Sequence, residues 1–142
     1  MDTRLFVESD RFALREIYLE SRMHAFDWIG GALFSADDFD RDTEGEIIWV
    51  ATCDARPVGF ISVWEPANFI HNLFVHPNFV GKGAGSALLN ECLNHIGRPA
   101  VLKCGAQNTK ARDFYLSKGW KIVSDGDGPD GEYLLMHFDD ET

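Results

Sequence analysis

The sequence predicts an α/β or α+β domain: a mixed, mostly antiparallel central sheet flanked by helices. Three observations lead there. Short apolar, β-branched runs bounded by turn residues recur along the chain. Stretches with apolar residues at helical spacing lie between them. A glycine-rich turn joins one such run to an amphipathic helix. At 142 residues, 45% of them hydrophobic and 11 of them Phe, the chain suits one well-filled domain over residues 1–142.

Residues 4–7 read as a short first strand. Ser9 or Asp10 can cap a helix running to about Met23, with Ala13, Leu14, Ile17 and Tyr18 on one face. His24 to Asp42 is irregular: Gly30-Gly31 and an acid-rich stretch from Asp37 imply loops and a short helix, anchored by Phe26, Trp28, Phe34 and Phe39. Glu46 to Cys53 is a strand, Asp54-Ala55-Arg56-Pro57 a turn, since Pro is disfavoured inside a ladder, and Val58 to Trp64 the returning strand. Phe69 to Val75 follows, ended by His76-Pro77, so that these three form an antiparallel meander. Ala84, Leu88, Leu89, Cys92, Leu93 and Ile96 mark a helix that should end near Gly97. Pro99 to Cys104 is a buried strand. Asn108 or Thr109 caps a helix carrying Ala111, Phe114, Tyr115 and Leu116, stopped by Gly119. Trp120 to Val123 and Glu132 to Phe138 are two last strands around an acidic, glycine-rich loop at Ser124–Gly131.

The formal charge of −10 argues against a non-specific nucleic-acid or anionic-membrane surface, and is compatible with a cationic acceptor. Three cysteines without a CxxC fit a reducing compartment better than a disulfide framework. No apolar run approaches membrane-spanning length, and Met1-Asp2-Thr3-Arg4 opens no signal peptide, so the cytoplasm is expected. Asp125, Asp127 and Asp130 lack the spacing of a calcium loop and fit a solvated hairpin; no metal is expected.

Val80-Gly81-Lys82-Gly83-Ala84-Gly85 stands between a strand and a helix. Alternate glycines let a backbone turn tightly and approach a ligand. The following helix N-terminus offers unpaired N–H groups and the positive end of its dipole. Together they form a nest for a pyrophosphate, to which Lys82 and the Ser86 hydroxyl can add contacts. A purely structural turn is the competing reading. The P-loop pattern is absent, and GxGxG replaces the dinucleotide GxGxxG.

Leu73-Phe74-Val75-His76-Pro77-Asn78-Phe79-Val80-Gly81-Lys82-Gly83-Ala84-Gly85-Ser86-Ala87-Leu88-Leu89 resembles the central motif of the GCN5-related N-acetyltransferases (GNAT). Asn108 to Trp120, which includes Phe114-Tyr115 and Gly119, resembles that family's second cofactor segment. The family pattern opens on Gln or Arg where this chain has Val80, leaving backbone N–H groups and Lys82 to meet the phosphates. The resemblance implies the GNAT acyltransferase fold, acetyl-CoA as cofactor and transfer of its acetyl group to a primary amine by direct attack on the thioester. It implies that Phe74 and Val75 offer backbone groups to the acetyl and pantetheine part, that Val80, Gly81, Lys82, Gly83, Ala84, Gly85 and Ser86 wrap the pyrophosphate, and that Asn108 contacts pantetheine. Tyr115 would donate a proton to the leaving thiolate; its competing reading is an edge-of-core aromatic.

The base is open between His71, Glu65 and solvent or backbone, since an imidazole changes protonation near neutral pH and the Glu65-Pro66-Ala67 corner can face an acceptor. Along the strand Phe69, His71, Leu73 and Val75 share one face, and Ile70, Asn72 and Phe74 the other. Trp28, Phe34, Trp64 and Asn72 are candidates for the acceptor wall, against ordinary packing. The acids Asp37, Asp38, Asp40 and Asp42 either attract an amine or form a charged loop face. Cys104 reads as a buried strand-end thiol rather than a nucleophile, and His76 as structural. Small-molecule and peptide amines are both open as acceptors, and family habit allows a homodimer. The alternative function is a non-catalytic acyl-CoA-binding or interaction module on the same fold.

Overall fold

The computed structural model describes residues 1–25, 34–129 and 131–139. The chain forms two compact units, Met1–Val63 with Asn72–His95, and Trp64–His71 with Ile96–Thr142.

In the first unit β1 (Asp2–Leu5), β2 (Ile47–Cys53) and β3 (Arg56–Trp64) stand in order ahead of β4 (Phe69–Val75), whose residues Asn72–Val75 belong here. β1 pairs antiparallel with β2 from Asp2 opposite Thr52 to Leu5 opposite Trp49, and β2 pairs antiparallel with β3. Asp54 and Ala55 connect β2 to β3 with φ of 52° and 66°, the twist that a two-residue hairpin requires. The expected four-residue turn is therefore shorter than the sequence signalled. Pro57 lies inside β3, at the register shift beside Ala51 and Thr52, where a bulge tolerates the missing donor.

α1 (Arg11–Ala25) follows a 3-10 turn at Glu8–Asp10. Neither Ser9 nor Asp10 caps it as expected. The Asp10 carboxylate instead accepts the Val7 N–H at 2.9 Å and a paired contact from Arg4 at 2.7 and 2.8 Å. These bonds, the Arg4 pair first, hold the Asp10 carboxyl below its ordinary range despite its burial. A proton therefore binds the unfolded chain more readily. This stabilisation is complete above the ordinary carboxyl value of about 4 and is lost as pH falls through the lower folded value. Asp10→Asn is expected to flatten the acid limb of a denaturation profile recorded below about pH 4.

The core of this unit gathers Leu14, Ile17, Tyr18, Phe39, Ile48, Val50 and Phe60, with Phe6 and Phe74 against it. Phe39 comes from the short α2 (Asp38–Asp42) and meets Phe60 edge-on, ring centroids 5.2 Å apart. Tyr18 meets Phe74 the same way at 5.2 Å. Burying each such side chain stabilises the fold by roughly 1.5–3 kcal/mol. α3 (Ala84–Leu93) stops at Leu93 with Asn94 as its cap, before the expected Gly97.

In the second unit Phe69–His71 of β4 is followed in space by β5 (Ala100–Gly105), β7 (Gly131–Phe138) and β6 (Lys121–Gly128). β4 runs parallel to β5, with Phe69 opposite Val101 and Ile70 opposite Leu102; the β5–β7 and β6–β7 pairs are antiparallel. Gly97 donates its N–H to Asn68 Oδ1 at 2.9 Å, a contact that explains the glycine better than a helix cap does. α4 (Thr109–Ser117) precedes β6. β6 runs on through most of what read as a loop, with a bulge at Val123. Gly126 permits this: a Cβ there would lie 2.6 Å from the Tyr133 hydroxyl oxygen. Asp125 and Asp127 are exposed on β6, and Asp130 lies outside the described residues. Among the described residues no helix is long and apolar enough to cross a membrane.

Candidate active site

The glycine turn belongs to the first unit. After the 3-10 turn Pro77–Phe79, Gly81 and Gly83 take φ of 78° and 89°, values that disfavour any residue with a Cβ. A Cβ built on either would meet no atom within 4 Å, so the turn stands open on that side. Gly83 is the N-cap of α3 and brings no side-chain cap. Among the described residues, Val80 through Ser86 donate none of the well-formed backbone–backbone hydrogen bonds found outside the helices and strands. A run of unmatched amides ahead of an uncapped helix is the donor set that a pyrophosphate fits. Lys82 is exposed and adds a positive charge, its Nζ 5.5 Å from the Phe79 ring centroid. Val80 is 58% exposed, and Ala84 turns its methyl inward. Gly85 and Ser86 occupy the first turn of α3.

Phe74 and Val75 end β4 beside Gly59 of β3. A Cβ on Gly59 would stand 2.9 Å from the Phe74 carbonyl oxygen and 3.3 Å from Val75 Cα, both backbone atoms that cannot swing aside. Gly59→Ala is expected to destabilise the protein by about 1–3 kcal/mol, read as a lower denaturant midpoint. The Val75 carbonyl accepts the Ser21 hydroxyl at 3.1 Å. Asn72, expected in the acceptor wall, is buried and donates to Ser62 Oγ at 2.9 Å. That geometry serves packing within the sheet rather than a solvent-facing wall.

In the second unit Asn108 caps α4, its Oδ1 accepting the Ala111 N–H at 3.2 Å. Its side-chain amide N–H groups remain as the donors that pantetheine contact would use. Tyr115 is half-buried on α4, edge-on to Phe114 and to the buried Trp120, with centroids 5.3 and 5.7 Å away. Its carbonyl accepts the Trp120 N–H at 3.1 Å where Gly119, at φ 94°, ends the helix. Cys104 is buried, and burial pushes its thiol above the ordinary range, as suits an inert strand-end residue. Glu65 begins an exposed 3-10 turn, Trp64 is 45% exposed, and His71 is exposed with its ring stacked on Phe69, centroids 6.0 Å apart. Burial along β4 alternates from Ile70 to Asn72, with Ile70 and Asn72 buried and His71 exposed, and is intermediate from Leu73 to Val75.

Trp28 lies outside the described residues. Phe34 packs its ring 4.6 Å from the guanidinium of Arg22, which also lies 3.7 Å over Tyr18. Arg22 is buried, and binds Asp38 at 3.1 Å and the carbonyls of Tyr18 and Ser35. The α2 acids are engaged within the protein: Asp40 pairs with Arg11 and Arg15, Asp38 with Arg22 and Arg41, and Asp42 with Arg41 and the Tyr18 hydroxyl. They form a paired charged face, the alternative to an amine lure. Two contributors left no clear sequence signal, Arg22 and the Glu20–His76 pair. Gly59 did leave one, an isolated glycine inside a strand pattern.

Residues 44–122 match the model of the acetyltransferase (GNAT) domain. An N-acetyltransferase of Archaeoglobus fulgidus, itself uncharacterised, is 32% identical over 138 residues, covering 87% of this chain and 86% of that one. For three further N-acetyltransferase relatives the match spans less than half of their length. Among solved structures, the apo form of YjaB from Escherichia coli superposes with a TM-score of 0.79 at 21% identity, over 96% of this chain and 95% of that one. YncA of Salmonella typhimurium, a putative acetyltransferase solved with its cofactor acetyl-CoA, superposes with a TM-score of 0.74 at 19% identity, over 99% and 95%. The fold is therefore that of the acetyltransferases. The chain belongs to the GCN5-related N-acetyltransferase family, whose cosubstrate is acetyl-CoA.

Proposed function

We propose that residues 1–142 form one N-acetyltransferase domain that moves the acetyl group of acetyl-CoA to a primary amine, small-molecule or peptide, by direct attack on the thioester. The observation that carries this proposal is the run of unmatched amides from Val80 to Ser86 at the uncapped start of α3. Acetyl-CoA, when bound, supplies an activated acyl carbon and a thiolate leaving group. The amides of Val80–Ser86 and the Lys82 ammonium hold the phosphates. Backbone groups of Phe74 and Val75 and the Asn108 amide orient the pantetheine arm. Tyr115 hands its hydroxyl proton to the departing sulfur. His71 or Glu65, both exposed and able to accept a proton, relieve the attacking amine of its own. Phe34 and Trp64 wall the acceptor. The three free cysteines support a reducing, cytoplasmic setting. A homodimer is compatible with the family habit.

The test is an acetyl-CoA turnover screen over chemically diverse amines, read as thiol release, with CoA thermal shift as internal control. Acceptor-dependent release is expected with at least one amine class. CoA stabilisation without turnover across the panel would identify a binding module instead, and no stabilisation would remove the cofactor.

A further inference from the structure

We propose that His76 is the positioning residue of the phosphate turn: its imidazole, held in one tautomer by Glu20, fixes the chain where the open amides begin. The proposal rests on the assignment of Val80–Ser86 to the cofactor phosphates. His76 is the N-cap of the Pro77–Phe79 turn. Its Nδ1 accepts the Asn78 N–H at 3.1 Å, and its carbonyl accepts the Phe79 N–H at 2.8 Å. Its own N–H is anchored to the Val58 carbonyl of β3 at 2.8 Å. On the far side of the ring, Nε2 is hydrogen-bonded to the Glu20 carboxylate on α1. A nitrogen that faces an N–H carries no proton, so Nδ1 is bare, and the ring proton sits on Nε2 and donates to Glu20. The ring is thereby tied at both nitrogens.

Among the described residues, Val80 through Ser86 donate none of the well-formed backbone bonds of the kind seen at His76. The bonds at His76 are the last before the open run, and the next is the Ala87 N–H to the Gly83 carbonyl at 3.0 Å, inside the helix start. Phe79 meets the His76 ring edge-on at 6.2 Å and carries the Lys82 ammonium 5.5 Å from its own ring. Pro77 fixes φ and removes a donor, which leaves the Asn78 and Phe79 N–H groups to steer the chain. The direction in which residues 80–83 leave β4 is thus set by an imidazole acting as a cap. Hydrogen bonds to a charged group depend on donor alignment, so loosening this anchor should weaken cofactor binding before it unfolds the protein.

The experiment is calorimetric titration of the full chain with CoA, comparing wild type with His76→Ala, His76→Asn and Glu20→Ala, each checked by circular dichroism. His76→Ala is expected to weaken CoA binding about fivefold or more, the loss typical of a missing cap. His76→Asn should bind within about twofold of wild type, because Asn Oδ1 is a strong cap acceptor placed much as Nδ1 is. Glu20→Ala keeps the cap atom but frees the ring, and should fall between them. A His76→Ala protein that binds CoA like wild type, or a His76→Asn protein as weak as His76→Ala, overturns the proposal. Should His76→Ala fail to fold, Glu20→Ala and His76→Asn decide: binding unchanged in Glu20→Ala overturns it. Wild type that does not bind CoA at all sinks the phosphate assignment itself and this proposal with it.

Discussion

Tyr115→Phe is expected to lower turnover about 10²-fold or more, while CoA still binds. The substitution removes one hydroxyl and keeps the ring, so the edge contacts with Phe114 and Trp120 persist and α4 stays in place. What disappears is the proposed proton source for a thiolate, whose departure otherwise leaves a bare charge. Two readouts separate this from a packing effect. The kcat should fall while the KM for acetyl-CoA changes little. Unchanged kcat in Tyr115→Phe would return the residue to an edge-of-core role and hand protonation to solvent.

Gly83→Val should weaken CoA binding more than tenfold while costing the unliganded fold only about 1–2 kcal/mol. No atom lies within 4 Å of a Cβ there, so the stability loss comes from the backbone alone, a β-branched residue forced to φ 89°. The binding loss has two sources. The chain relaxes from the alternation that aims the amides to one side, and the side chain fills the open space through which phosphate oxygens approach. Calorimetry and thermal melting of one preparation read both effects. A Gly83→Val protein that loses stability yet binds CoA normally would show the turn to be structural.

Much of this architecture was legible because its signals are local. The order of strands and helices follows from hydrophobic period, and Asn108 and Gly119 mark the two ends of α4 by cap chemistry that needs no tertiary context. The glycine turn announced itself through residues that only unusual φ values require. What failed to show was decided at a distance. Ser124–Gly131 has a loop composition, yet β7 supplies a partner ladder and Tyr133 covers Gly126, so pairing overrides propensity. Gly97 looked like a helix stop but answers to Asn68. Asp10 looked like a cap but answers to Arg4, six residues back. Asn72 looked like part of an acceptor wall but is buried against Ser62, a partner set by the register of a neighbouring strand.

The arginines along α1 have a consequence for how a charged molecule finds this protein. Arg11, Arg15 and Arg22 pair with Asp38 and Asp40 of α2, and Arg41 with Asp42, so the surplus of negative charge reaches solvent from other stretches. A cation diffusing inward is drawn by the molecule's general field, not guided to this helix. Raising ionic strength should then slow its arrival without changing which cation is chosen, since discrimination falls to the shape and chemistry of the surface it finally touches.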